Sequence, residues 1–389
     1  MQFPSRFSAL PDYAFPRLRA LLDPHDAGGP VLHMSIGEPR HDPPAFVSQI
    51  LTESAADFGR YPPNHGHADL QDAIAEWVAR RYRVTVDART QVLPLNGTRE
   101  GLFNTAVALC PEDAPVILTP NPFYQVYAVA ALAMGAQPVY VPATAQSGFL
   151  PDYTALDAKT LDRTAIAYIC SPSNPQGAVA TEDYWRDLIA LAEKHDFRIF
   201  ADECYSEIYR DTPPPGALQV AHSMGADPER IVIFHSLSKR SNLPGLRSGF
   251  AVAGPKSMAR MKQLRDYAGA PLPGPIQTAS AAVWRDEDHV VASRRRYVAK
   301  YDMVDAVFDG IDGCAAPEAG FFLWLPVDDA EAATLKLWQE TGVRVLPGNY
   351  LSRDVGGANP GAGYIRAALV AHEDELQSGL IKLRDCLYA

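Results

Sequence analysis

The chain has 389 residues, 47% hydrophobic and 21% charged, which is the balance of a folded protein and excludes a disordered one. That length favours two lobes over a single core. Lys and Arg number 35 against 46 Asp and Glu, and the net charge of −11 argues against nucleic acid or an anionic membrane as a partner.

The opening segment, MQFPSRFSALPDYAFPRL, lacks the apolar core of a signal peptide. The longest nearly apolar stretch, residues 128–136, falls well short of the ~20 residues a membrane span needs. A soluble, cytoplasmic protein is expected. Cys110, Cys170, Cys204, Cys314 and Cys386 are scattered, with no C-x-x-C spacing. They are expected to be reduced and mostly buried, with no metal site.

In chain order, a proline-rich arm over residues 1–45 comes first. It has no sheet of its own and is expected to pack on the C-terminal part. Short apolar runs follow at 91–95, 116–118, 138–141, 165–170, 198–201, 231–234 and 249–253. Each is followed by a turn, and amphipathic stretches lie between several of them. The stretch 181–195 (TEDYWRDLIALAEKH) predicts a helix capped by Thr181, with Tyr184, Leu188, Leu191 and Ala192 on one face. Strands alternating with helices predict an α/β fold with a mostly parallel sheet. The runs do not alternate polar with apolar, as expected for strands buried on both faces. The tail reads differently. A helix is predicted at 293–309, strands at 320–325 and 343–346, and a closing helix at 374–386. The expected division is a large lobe over 46–285 and a smaller α+β lobe made of 1–45 and 286–389.

Ligands of parallel sheets sit beyond the carboxyl ends of the strands. The segments there are rich in chemistry. NGTREGL offers Gly97, Thr98 and Arg99; TPNPFYQVY offers Tyr124; SPSNPQG offers Asn174. Asp202 and Tyr205 follow the next run, and HSLSKRSNLPGLRSG supplies Ser236, Ser238, Lys239 and Arg247. Taken singly, each has a plain reading: Asp202 a turn former, Lys239 a solvated lysine, Tyr124 core, and the serines helix caps. Taken together they match the parts of one ligand. The serines, Arg247 and the amides of Gly97, Thr98 and Arg99 suit a phosphate. Asp202 suits a protonated ring nitrogen, Tyr205 a phenolic oxygen, Tyr124 a flat ring, and a desolvated Lys239 an aldehyde. Those parts describe pyridoxal 5′-phosphate.

SLSKRSNLPGLRSGF resembles the Schiff-base lysine segment of the fold-type I, class I and II aminotransferases. SIGEPRHDPPAF, NGTREGLFNTA, PNPFYQVY, CSPSNPQGAV, DECYSEIY and GFFLW extend the resemblance over essentially the whole chain. Within that family they are most similar to the branch acting on succinyldiaminopimelate in lysine biosynthesis. The resemblance implies a seven-stranded, aspartate-aminotransferase-like sheet between helices. It makes Lys239 the cofactor-bonding lysine and proton carrier, Asp202 the ring-nitrogen partner, and Asn174 and Tyr205 the donors to the phenolic oxygen. Ser236, Ser238, Arg247, Gly97, Thr98 and Arg99 fall in the phosphate cup, and Tyr124 at the ring-stacking position. Tyr61 matches the tyrosine that reaches the neighbouring subunit's phosphate, which implies a homodimer with shared sites. Arg366 and Gly37 match the groups that hold the substrate α-carboxylate. The implied substrates are amino acids and 2-oxo acids, with 2-oxoglutarate as acceptor. Arg40 and Arg240 are the candidates for a distal carboxylate. The segment 270–277 (APLPGPIQ) departs from the small polar residues usual there, and the glycine-rich loop 355–363 is expected to be mobile. Other readings are a general or aromatic aminotransferase, a carbon–sulfur lyase of the same fold, and a non-catalytic ligand-sensing domain. The last normally follows a winged DNA-binding segment, and residues 1–45 contain no helix–turn–helix pattern.

Overall fold

The computed structural model describes residues 5–8, 10, 13–113 and 115–389, so the start of the N-terminal arm lies partly outside the described residues. All seven apolar runs are strands of one sheet. They are β1 (Val92–Leu95), β2 (Val116–Asn121), β3 (Gln137–Pro142), β4 (Thr164–Cys170), β5 (Arg198–Asp202), β6 (Ile231–Ser236) and β7 (Gly249–Ala253). Their order across the sheet is β1-β7-β6-β5-β4-β2-β3. β7 runs antiparallel to both its neighbours, and every other pair is parallel.

β1, β2, β4, β6 and β7 are buried at every position, because helices cover both faces. Along β6 the side chains alternate between two cores. Ile231 and Ile233 join the core that holds Trp77, Trp185 and Trp284, while Val232 and Phe234 join the one that holds Leu102, Tyr127 and Tyr168. Helix α1 (Thr98–Leu109) follows β1, and α2 (Glu182–His195) follows β4. Thr181 caps α2 by accepting from the Tyr184 amide at 3.1 Å. The buried stripe of α2 is Trp185, Leu188, Ile189 and Ala192, rotated from the expected face. Trp185 turns inward because its Nε1 reaches the Pro215 carbonyl at 3.2 Å, and Tyr184 and Leu191 become the half-buried margins. A short helix, α3 (Leu237–Arg240), follows β6, and α4 (Gly274–Arg285) and α5 (Asp288–Val307) lie beyond β7 and the helix Pro255–Arg265.

α5 begins at Asp288 and not near residue 293; just before it, Asp286 accepts from the His289 amide of the first turn at 3.1 Å. Beyond α5, β8 (Phe322–Pro326) and β9 (Tyr364–Ala368) pair antiparallel, with Leu346–Pro347 on the other side of β9. The expected strand at 343–346 is split. Val343–Arg344 pairs in parallel with Leu32–His33, and the chain then crosses to the β9 sheet. The arm helix Ala14–Leu22 buries Ala14, Leu18 and Leu22 against Trp324, Trp338 and Leu346. The core of this second region also takes in Met34, Cys170 and Tyr205, so it closes directly on the strand ends of the large sheet. Among the described residues no helix is long and apolar enough to cross a membrane. The five cysteines are unpaired; Cys170 and Cys314 are buried and the others half-buried.

Candidate active site

The carboxyl ends of β1, β2, β4, β5 and β6 open into one cavity of about 270 Å³. Tyr13 and Phe15 from the arm, Gly37, Phe322 and Arg366 complete its walls. Of the residues singled out in the sequence, Thr98, Arg99, Tyr124, Asn174, Asp202, Tyr205, Ser236, Ser238, Lys239 and Arg247 also line it.

Asp202 ends β5 and is 5% exposed. Tyr127 donates its hydroxyl to Asp202 Oδ2 at 2.8 Å, and the Cys204 amide approaches Oδ1 at 3.4 Å. Burial pushes the Asp202 carboxyl up, against the pull of these donors. Among the described residues no cation pairs with it. The adjacent Glu203 faces the other way, as the two-residue period of a strand requires. It is held by the Tyr82 hydroxyl (2.6 Å), the Ala217 amide (2.7 Å) and His235 (3.1 Å). Asp202 is thus the carboxylate turned to the cavity.

Lys239 stands on α3. Its Nζ donates to the Gly37 carbonyl and lies 5.3 Å from the Phe321 ring centroid. Burial lowers its ammonium to about 8. A Cβ on Gly37 would lie 2.3 Å from Phe322 Cζ, so only glycine lets this backbone approach.

Ser236 caps α3 by accepting from the Ser238 amide at 3.1 Å, and its hydroxyl donates to Ser238 Oγ at 2.9 Å. Opposite stands the N-terminus of α1, with Gly97 as its cap at φ +80°. A Cβ there would lie 2.3 Å from Arg247 Nη2. Gly97 does not line the cavity itself; it lets Arg247 lie flat over the helix start. Arg247 donates to the Pro244 carbonyl at 2.9 Å and approaches the Asn96 carbonyl at 3.5 Å. Serine hydroxyls, a guanidinium and a helix N-terminus converge as an anion cup.

Arg366 projects from β9 and is 5% exposed. Its Nη1 donates to Asn174 Oδ1 and its Nη2 to the Ser35 carbonyl, both at 2.8 Å. Its Nε is buried without a partner. The guanidinium stacks 4.1 Å from the Phe322 centroid. Burial lowers it to about 10, still fully charged at neutral pH. Among the described residues no carboxylate pairs with this buried cation, which lines the cavity and suits an anionic ligand there. Tyr205 packs edge-on against Phe321 and Phe322 at 5.3 and 5.8 Å. Tyr124 accepts from Arg99 Nε at 2.6 Å, which places an exposed guanidinium at the mouth.

Tyr61 is fully exposed, away from this chain's own cavity. Arg40 and Arg240 do not reach the cavity. Arg40 is paired with Glu375 at 2.9 Å. Arg240 is buried against Trp284 and donates to Glu287 and to the Val283 and Asp286 carbonyls at 2.8–3.1 Å. The departing segment 270–277 also has a structural task, since the Ala270 carbonyl accepts from Asn96, next to the cup. In the loop 355–363 the turn is closed by Val355 and Ala358, which exchange backbone hydrogen bonds at 2.9 and 3.1 Å. Sequence reasoning missed Tyr127, Ser35 and Phe322. Tyr127 gave no local signal, since it is a buried helix tyrosine whose hydroxyl only the fold brings to Asp202.

The fold and the cavity together are those of an enzyme built around a phosphorylated, carbonyl-bearing cofactor. The chain belongs to the family of class I and II aminotransferases, whose profile matches residues 29–377. It is 33% identical over 392 residues to the LL-diaminopimelate aminotransferase of Dehalococcoides mccartyi strain 195, covering 98% of each chain. It is 30% identical to that of Nitratidesulfovibrio vulgaris Miyazaki F, covering 97% of each. Among solved structures, an aminotransferase from Neisseria meningitidis Z2491 superposes with a TM-score of 0.95 at 37% identity, over 98% of this chain and 99% of the other. Aminotransferase AspB from Helicobacter pylori 26695 follows at 0.91 and 33%, over 99% of both.

Enzymes of this family and fold depend on pyridoxal 5′-phosphate, and the residues present fit it. The cup suits the phosphate, the cation-free buried Asp202 suits the pyridinium nitrogen, and Lys239 suits the aldehyde.

Proposed function

We propose that this chain moves amino groups between an amino acid of the diaminopimelate skeleton and 2-oxoglutarate. The supporting observation is the buried guanidinium of Arg366, which has no carboxylate partner among the described residues and lines the same cavity as Lys239. A fork of this kind suits the α-carboxylate that amino and 2-oxo acids share.

Bound pyridoxal phosphate supplies an aldehyde that holds the substrate amine and a ring that withdraws electrons from the α-carbon. The other work falls to the chain. Arg366 and Asn174 orient the carboxylate. Lys239 Nζ, lowered toward the working pH by burial, takes the α-proton as general base. Asp202 keeps the ring nitrogen protonated, and Tyr127 holds Asp202 in place. Tyr205 and Asn174 would donate to the phenolic oxygen, Tyr124 would cover the ring, and Ser236, Ser238, Thr98 and Arg247 would hold the phosphate, with Gly97 making room for Arg247.

The names of the curated relatives support a diaminopimelate-type substrate. Our finer reading is the N-succinylated form. Its support is that Asp202, at the floor, is the one acid among the described residues lining the cavity, which leaves no carboxylate there for a free distal ammonium. Arg99 at the mouth is the group we assign to the distal carboxylate, in place of Arg40 and Arg240. Arg99→Ala is expected to raise KM about tenfold for diaminopimelate substrates and to spare a monocarboxylic amino acid. Equal effects on both would remove Arg99 from this role.

We also propose a cytoplasmic homodimer in which the exposed Tyr61 completes the partner's cup, with lobes divided at 46–285. Sedimentation of the protein and cofactor release from Tyr61→Phe test the dimer. A monomer with full cofactor affinity contradicts it.

A further inference from the structure

Residues 35–41 cross the cavity wall and give up two backbone carbonyls to its two central cations. Ser35 O accepts from Arg366 Nη2 at 2.8 Å, and Gly37 O accepts from Lys239 Nζ. What fixes this strap lies outside the cavity. Lys300, on α5, is 0% exposed. Glu373 acts on its charge and on that of His41, but among the described residues no carboxylate forms an ion pair with the Lys300 ammonium. Its Nζ donates instead to His41 Nε2 at 2.8 Å and to the Leu369 carbonyl at 3.0 Å. Leu369 follows Ala368, the last residue of β9, the strand that carries Arg366. One buried ammonium therefore ties the C-terminal end of the strap to the end of the strand bearing the carboxylate-binding arginine. The N-terminal end of the strap is tied to the same strand, since the Ala368 amide donates to the Met34 carbonyl at 2.7 Å.

His41 is 6% exposed and stands edge-on to Tyr297 and His372 at 6.0 and 5.4 Å. To accept from an ammonium, Nε2 must carry no proton, and burial agrees by lowering His41 to about 4 and Lys300 to about 8. A lysine buried with Glu373, the acid that acts on it, outside ion-pair contact costs stability, which its two hydrogen bonds offset only in part.

We propose that Lys300 and His41 are positioning residues for substrate recognition, latching the strap so that Ser35 presents its carbonyl to Arg366. Neither touches substrate or cofactor. Freed from the latch, the strap carries Ser35 O away from Arg366, whose fork then loses the fixed direction a substrate carboxylate meets. Affinity for the carboxylate falls, while proton transfer at Lys239 and cofactor binding in the cup are spared. The inference rests on the transaminase reading.

The test compares His41→Leu with His41→Gln in the cofactor-loaded protein. The glutamine amide oxygen can still accept from Lys300; leucine cannot. The exchange between glutamate and labelled 2-oxoglutarate gives KM and kcat. Hydrogen exchange of the peptide spanning residues 34–41 reports the strap directly. For His41→Leu, KM is expected to rise about tenfold for both acids, with kcat and cofactor affinity within twofold and faster exchange of the strap. His41→Gln restores the wild-type values. Lys300→Met repeats the leucine result where it folds. An unchanged KM in His41→Leu, or a fall in kcat alone, overturns the proposal. So does a glutamine variant as impaired as the leucine one. Absence of exchange activity in the wild type would instead refute the glutamate half of the transaminase reading. The strap is then judged on hydrogen exchange, where equal protection in wild type and His41→Leu overturns the latch.

Discussion

Arg366→Lys removes a planar fork and leaves a point charge. In the structure Nη1 and Nη2 are held in one plane by Asn174 and Ser35 at 2.8 Å each, and Nε is idle. A carboxylate meeting that plane gains two parallel charge-assisted bonds, whereas an ammonium supplies one and leaves Asn174 or Ser35 without its donor. A bond to a charged group contributes about 1.5–3 kcal/mol, so the lost bond converts to roughly a 10- to 150-fold fall in kcat/KM. The loss is expected mainly in KM and by a similar factor for amino donor and 2-oxo acceptor, because both carry the α-carboxylate. Steady-state kinetics with both substrates varied, and cofactor content checked by visible absorbance, measure it. A kcat/KM within twofold of wild type, or a defect confined to one substrate, would refute the assignment of Arg366.

Gly97→Ala places a methyl 2.3 Å from Arg247 Nη2 at a φ of +80°. Cofactor release, followed by fluorescence, is expected to quicken about tenfold, with the fold intact by circular dichroism. Tyr127→Phe removes the 2.8 Å bond to Asp202 and raises its carboxyl pKa further. A loss of about 1 kcal/mol, or roughly fivefold in cofactor affinity, is expected from equilibrium dialysis, and an unchanged affinity would separate Tyr127 from the site. The lowered Lys239 ammonium has a definite sign. Its free amine grows as pH rises through about 8, where an ordinary lysine would wait until about 10.5. Loading of the cofactor-free protein with pyridoxal phosphate should reach half its maximal rate near that lower pH, and a midpoint near 10 would contradict the desolvated setting.

The large sheet was legible because strands buried on both faces must be short apolar runs; the edge strand β3 is only partly buried, yet it too carries an apolar run, and all seven were read. β9 was not, since its central residue is the charged Arg366, whose burial depends on partners far along the chain. That the segments beyond the strand ends border one cavity was legible for the same topological reason. Arg240 shows the limit. It neighbours Lys239 on a single turn of helix, yet it points into the core against Trp284 while Lys239 faces the cavity. Arg40 is claimed by Glu375, 335 residues away, a pairing no local pattern announces. Tyr127 reads as a core tyrosine, and it is one; only packing shows that its hydroxyl ends on Asp202. The expected face of 181–195 erred because apolar spacing alone could not weigh Trp185 against Tyr184.

The most direct test of the account is amino transfer itself. Cofactor-loaded protein is mixed with 2-oxoglutarate and either LL-diaminopimelate or its N-succinyl derivative, and the glutamate formed is measured. Glutamate is expected from the diaminopimelate skeleton, faster with the succinylated form, and none from Lys239→Ala. No glutamate from either substrate, or undiminished glutamate from Lys239→Ala, would contradict it.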